Sequence, residues 1–237
     1  MTQHESLQYR VAQHKPKNTK SKIDDKEINI AANNVIAYLK KRFDMANKWP
    51  DYELLYDKKI KIIDMIKFIE SKKIRSEFFP YDEGRSIVPD GGIIYLIDKV
   101  NDVKLPLLIA EVKHQGTNKE RIQKGKNKQA TGNAIERLGK NLTAIKSYLH
   151  YENITPFVCF GHGCDFAPNE LTVLNKIWCL NEFYDINKIF VNKRDNDKDH
   201  GGFSPVSMYF REEKWSVSEM TEIMKEIAEY SFRYWLY

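Results

Sequence analysis

The chain reads as an α/β protein with a central mixed β-sheet flanked by helices, and three observations lead there. Apolar residues recur at helical spacing toward both ends and in the middle of the chain. Short apolar runs of strand length lie between them, and Pro/Gly turn signals punctuate the series. A chain of 237 residues is long enough to bury a full core within one domain.

Residues 1 to about 27 carry Lys15, Lys17, Lys20 and Lys22 among polar residues and lack apolar periodicity, which predicts a flexible basic arm. The remainder, 28–237, is expected to be a single domain. From Ile28 to Ala46 the apolar positions Ile30, Val35, Tyr38, Leu39 and Phe43 predict a packing helix, stopped at Trp49-Pro50. A second amphipathic run carries Ile60, Ile63, Ile66 and Ile69 and ends before Ser71-Lys72-Lys73.

The texture then changes. Pro89-Asp90-Gly91-Gly92 is a strong turn signal and opens the apolar run Ile93 to Ile97. After a polar connection, Leu105 to Lys113 is a second run, apolar until its end, so the two predict a β-hairpin. Helical spacing returns from Asn127 to Leu149 through Ala134, Leu138, Leu142 and Ile145. Pro156 to Phe160 predicts a strand, Glu170 to Phe183 a helix, Val206 to Phe210 a strand and Ser218 to Trp235 a closing helix. There is no internal repeat.

Charged residues make up 30% of the chain and its formal net charge is +5. That balance suits a polyanionic partner, because lysines and arginines that neutralise phosphates release condensed counterions. Cys159, Cys164 and Cys179 are unevenly spaced and lack a CxxC or Cys/His grouping, which argues against a disulfide framework and a structural zinc. No apolar h-region opens the sequence, and no stretch approaches the roughly 20 apolar residues of a membrane span. A cytoplasmic protein with no membrane partner is expected.

Three charged residues sit on the predicted hairpin: Asp90, Glu111 and Lys113. Side chains two apart on a strand share a face, so Glu111 and Lys113 project together while Val112 turns to the other side. If the hairpin sets the Asp90 turn beside the end of the second strand, two carboxylates and an ammonium converge. Adjacent carboxylates repel unless a cation lies between them, and hard oxygen donors suit Mg²⁺. Such a group can hydrolyse a phosphodiester, with the lysine orienting the nucleophile and offsetting charge on the phosphate. On spacing alone, a turn-capping aspartate and a surface Glu/Lys pair remain the alternative.

Pro89-Asp90-Gly91-Gly92-Ile93-Ile94, then Ala110-Glu111-Val112-Lys113-His114-Gln115-Gly116, then Gly132-Asn133-Ala134-Ile135-Glu136-Arg137 together resemble the EcoRI-like type II restriction endonucleases of the PD…(D/E)xK nuclease superfamily. The likeness is strongest from about Val88 to Gly161. It implies a restriction-endonuclease-like core, with residues 28–237 carrying both catalysis and DNA recognition. By the same resemblance Asp90, Glu111 and the Val112 backbone carbonyl would ligand Mg²⁺, and Lys113 would be the catalytic lysine. The stretch after the catalytic strand would enter the major groove, here Gln129, Ala130, Gly132, Asn133, Ala134 and Arg137.

The groove chemistry supports that reading. Asparagine can pair bidentately with adenine, arginine offers a rigid donor fork to purines, and alanine can meet a thymine methyl. Members of the family, EcoRI and MunI, carry a stretch related to Gly132–Arg137 and share a central AATT, which implies an AATT core here. Lys176 and Cys179 stand where EcoRI has paired arginines, and Gln129 where it has a methionine, so the outer base pair stays open. A palindromic double-stranded DNA site implies a homodimer, since two identical subunits read two identical half-sites. A cognate DNA methyltransferase is expected as functional partner. The alternatives are a non-catalytic sequence-specific DNA-binding protein, or a repair or structure-specific nuclease of the same superfamily.

Overall fold

A computed structural model of the chain describes residues 19–72, 84–116, 118–127, 133–149, 152–166 and 206–237. Helix α1 spans Thr19–Arg42, and after a left-handed Asp44 the short α2 spans Met45–Lys48. Strand β1 (Tyr52–Asp57) follows, then β2 (Ile60–Lys61), α3 (Ile62–Ser71) and β3 (Ser86–Ile87). The hairpin is β4 (Ile93–Asp98) and β5 (Val103–His114), followed by α4 (Asn118–Gln123) and α5 (Asn133–Tyr148). β6 (Phe157–His162), a 3₁₀ turn (Cys164–Phe166), β7 (Val206–Arg211) and α6 (Val217–Leu236) complete the described elements.

The main sheet is mixed and five-stranded, in the order β1-β4-β5-β6-β7. β1, β4 and β5 pair antiparallel, whereas β5, β6 and β7 run parallel. The parallel strand β6 is buried at every position, as expected where both sheet faces are covered. The α/β expectation therefore holds, with helices on both sides.

Strand alternation sorts the two cores. Ile94, Leu96, Leu108, Ala110, Val112, Val158 and Phe160 pack with α1 and α6. Ile93, Tyr95, Ile109, Phe157 and Cys159 pack on the other face with α3 and α5. Because Ile109, Glu111 and Lys113 alternate with Val112 and His114, the hairpin charges lie on the α5 face.

Several boundaries differ from expectation. Residues 19–27, expected to belong to a flexible basic arm, are instead the first turns of helix α1. Its inward stripe is Ile28, Ala31, Ala32, Val35 and Leu39 with Asp24 one turn earlier, while Ile30 is exposed. The first turns are polar because they pack against ionisable side chains, and apolar periodicity cannot reveal such packing. α3 turns in Met65, Ile66 and Phe68, and Ile60 belongs to β2. β1 escaped the sequence pattern because it is an edge strand with only Leu54 buried. α5 begins at Asn133, and Asn127 lies outside any helix. The helix expected over 170–183 falls outside the described residues.

The turn before β4 is tied to β5 by its main chain. Gly91 N–H donates to the Ala110 carbonyl at 2.9 Å, and Ala110 N–H donates to the Gly92 carbonyl at 3.1 Å. Gly92 takes φ +69°, and a Cβ on Gly91 would lie 2.8 Å from both the Ala110 Cβ and Ile28. Glycine is thus required at both positions, one for backbone conformation and one for close approach. Gly91→Ala is expected to cost about 1–3 kcal/mol through overpacking, read as a lower urea midpoint.

Candidate active site

The glycine turn fixes where Asp90 sits. With Ala110 bonded to Gly91 and Gly92, the preceding residue comes to rest beside Glu111. Asp90 N–H donates to Glu111 Oε2 at 3.2 Å, and Lys113 Nζ lies 2.8 Å from Asp90 Oδ2. Lys113 Nζ also pairs with Glu111 Oε1. The structure therefore brings Asp90, Glu111 and Lys113 together as the hairpin reading expected, with the lysine bridging both carboxylates.

Burial sharpens the electrostatics. The Glu111 side chain is only 1% exposed. Burial raises its pKa, Lys113 pulls it down and Asp90 pushes it up again, leaving it above the usual carboxylate value. Burial works against the charge of Lys113, but Glu111 and Asp90 outweigh it and raise its pKa above that of an ordinary lysine. Lys113 thus stays an ammonium at neutral pH.

Ala110 directs its N–H and carbonyl toward the Asp90 turn, and alternation along the strand turns the Val112 main chain to the same edge. The β4–β5 ladder reaches only to the Ile93–Ile109 pair, so Val112 lies beyond its end. Its side chain meanwhile packs into the α1 face.

Two contributors were missed in the sequence. Asn141 on α5 donates from Nδ2 to Glu111 Oε1 at 3.2 Å. Its signal was positional, since 133, 137 and 141 recur four apart along one side of that helix. Asp25 on α1 is the second: its pKa is raised by burial, then by Asp90 and Asp24, with Lys113 acting the other way. It was hidden within the expected arm.

Of the residues expected to read bases, only some fall within the described part of the chain. Arg137 is exposed on α5, and Asn133 and Ala134 open that helix. Gln129, Ala130, Gly132 and Lys176 lie outside the described residues.

A glycine turn bearing an aspartate, paired to a strand ending in Glu-x-Lys on a mixed sheet, has the arrangement of the PD…(D/E)xK pattern. The family described as restriction endonuclease EcoRI matches residues 14–236, and the chain belongs to that family. The type II restriction enzyme RsrI of Cereibacter sphaeroides is 30% identical over 181 aligned positions, covering 64% of this chain and 65% of RsrI. The type II restriction enzyme EcoRI of Escherichia coli is 27% identical over 223 positions, covering 80% of this chain and 79% of EcoRI.

Removing the Asn141 donor takes a hydrogen bond from the charged form of Glu111. Asn141→Ala is therefore expected to raise the Glu111 pKa further, and to cost about 1.5–3 kcal/mol where the carboxylate is charged. Carbon-detected NMR titration of the Glu111 carboxyl reads the shift, and an unchanged midpoint would show that the contact carries no weight.

Proposed function

We propose that this protein is a type II restriction endonuclease, a site-specific deoxyribonuclease acting as a homodimer on a short palindromic duplex site with an AATT core. The observation that carries the reading is the convergence of Asp90, Glu111 and Lys113 at the end of the β4–β5 ladder. Asn141 links that group to the helix proposed to read bases. Family membership and the two type II relatives support the same conclusion.

The donor set fits Mg²⁺: two carboxylates and the Val112 carbonyl are hard oxygens, and the single ammonium of Lys113, shared between Asp90 and Glu111, offsets only one of their two charges. Asp90, Glu111 and Val112 would hold the ion, which when bound polarises the phosphoryl oxygens and lowers the pKa of a coordinated water. Lys113, held as an ammonium, orients the attacking water and offsets the charge that builds on the phosphate. As the water oxygen bonds to phosphorus and its proton passes to solvent, the bond between phosphorus and the 3′ oxygen breaks and that oxygen takes a proton from solvent, leaving a 5′-phosphate and a 3′-hydroxyl.

Recognition falls to the stretch 129–137, where Asn133 and Arg137 supply the bidentate groups that distinguish purines. Lys176 is assigned to the same DNA surface, and the net charge of +5 favours the duplex. A homodimer matches a palindrome through its twofold axis and brings one active site to each strand. Such an enzyme works in the cytoplasm beside a cognate methyltransferase that protects the host site.

Digestion of a plasmid of known sequence in Mg²⁺, with mapping of the fragment ends, is expected to give discrete cuts around AATT. Smears, or no cuts at all, would overturn the reading. Glu111→Gln should abolish cleavage and leave specific binding intact. Arg137→Ala should lose about 1–3 kcal/mol of discrimination between cognate and mismatched sites. If it changes only the salt slope of binding, Arg137 is a phosphate contact.

A further inference from the structure

On the side of the sheet opposite Glu111 and Lys113, three metal-ligating side chains from three elements meet. His114 ends β5 and His162 ends β6, and the parallel register pairs them directly. Their rings stack with centroids 4.6 Å apart and planes within 9°. Asp24 comes from α1, at the inward position one turn before Ile28.

Asp24 Oδ2 lies 3.3 Å from His162 Nε2 and 3.7 Å from His114 Nδ1. The three donor atoms all fall within 4.8 Å of one another. Asp24 is 6% exposed and His162 is 7% exposed. Both atoms, Asp24 Oδ2 and His162 Nε2, are buried, and although they lie 3.3 Å apart neither makes a hydrogen bond of good geometry among the described residues. Two buried polar atoms facing each other without a bond are costly, and a shared partner removes the cost.

We propose that Asp24, His114 and His162 form a second cation site, specific for Zn²⁺ or a similar transition-metal ion. Tetrahedral Zn²⁺ with bonds of about 2.0–2.1 Å sets its donors about 3.3 Å apart, close to the two Asp24–histidine distances, and at least one of the stacked imidazoles must turn out of the stack for both nitrogens to face one ion. Two nitrogens and one carboxylate oxygen suit Zn²⁺, Co²⁺ or Ni²⁺, whereas Mg²⁺ requires an oxygen shell. The two sites thus separate by donor chemistry as well as by sheet face.

The surrounding charges agree. Lys214 Nζ takes the other Asp24 oxygen at 3.2 Å and Glu27 at 2.6 Å, and its side chain is 45% exposed. Asp24 and Glu27 against Lys214 leave one negative charge beside two imidazoles. An ion there would clamp the first turns of α1 to the catalytic strand, next to Asp25.

Co²⁺ is the probe, because its visible bands report nitrogen and oxygen ligands directly. The untagged full-length chain, stripped with a chelator and free of DNA and Mg²⁺, is titrated with Co²⁺ and then, in competition with a chromophoric chelator, with Zn²⁺. One equivalent is expected to bind with visible bands in wild type and in Asp90→Ala. Affinity should fall about 100-fold or more in His162→Gln, in Asp24→Asn and in the more exposed His114→Gln, given that even an outer-shell loss costs 10–100-fold. Circular dichroism identifies any of the three that fails to fold, and the others then decide. Absent bands in wild type, unchanged affinity in the folded ligand variants, or loss of the bands in Asp90→Ala would each overturn the proposal.

Discussion

A carboxylate with 1% of its side chain exposed is the constraint around which this site is arranged. Glu111 ends an otherwise apolar stretch of β5, and burial alone would neutralise it. Lys113, the Asp90 N–H and Asn141 each reach one of its oxygens. These come from the same strand, the glycine turn and a helix on the α5 face. A buried ion is tolerated only when such partners are complete, so turn, strand and helix are locked into one geometry by a single charge.

The glycine turn is the mechanical half of that arrangement. Gly91 lets the chain approach Ala110, and Gly92 reverses it in the left-handed region. A larger residue at either place would push Asp90 away from Glu111. The Val112 main chain faces the same edge only because Ala110 is already committed to the turn. From Leu108 to His114, position along β5 thus assigns the chemistry: odd-numbered residues carry the charges toward α5, and even-numbered ones face α1.

This alternation also explains why one short strand end serves two purposes. Lys113 and His114 are neighbours in sequence but face opposite layers, the first toward Asp90 and the second toward Asp24. Helix α1 touches both surroundings, with Asp24 directed to the histidines and Asp25 close enough to Asp90 to have its acidity altered.

The sequence by itself determined the hairpin, its turn and the shared face of Glu111 and Lys113, because strand periodicity and glycine chemistry act over a few residues, while the register that brings Asp90 to them was settled by the tertiary structure. The outer helices were legible in kind, since an apolar stripe declares a helix wherever it packs on a sheet. Strand β1 was not, because an edge strand buries too little to leave a pattern. The start of α1 at Thr19, the Asn141 bond to Glu111 and the meeting of Asp24 with His114 and His162 belong to the tertiary structure alone. Polar groups far apart in the chain are selected by the partners they find in space, and neither periodicity nor spacing records that choice.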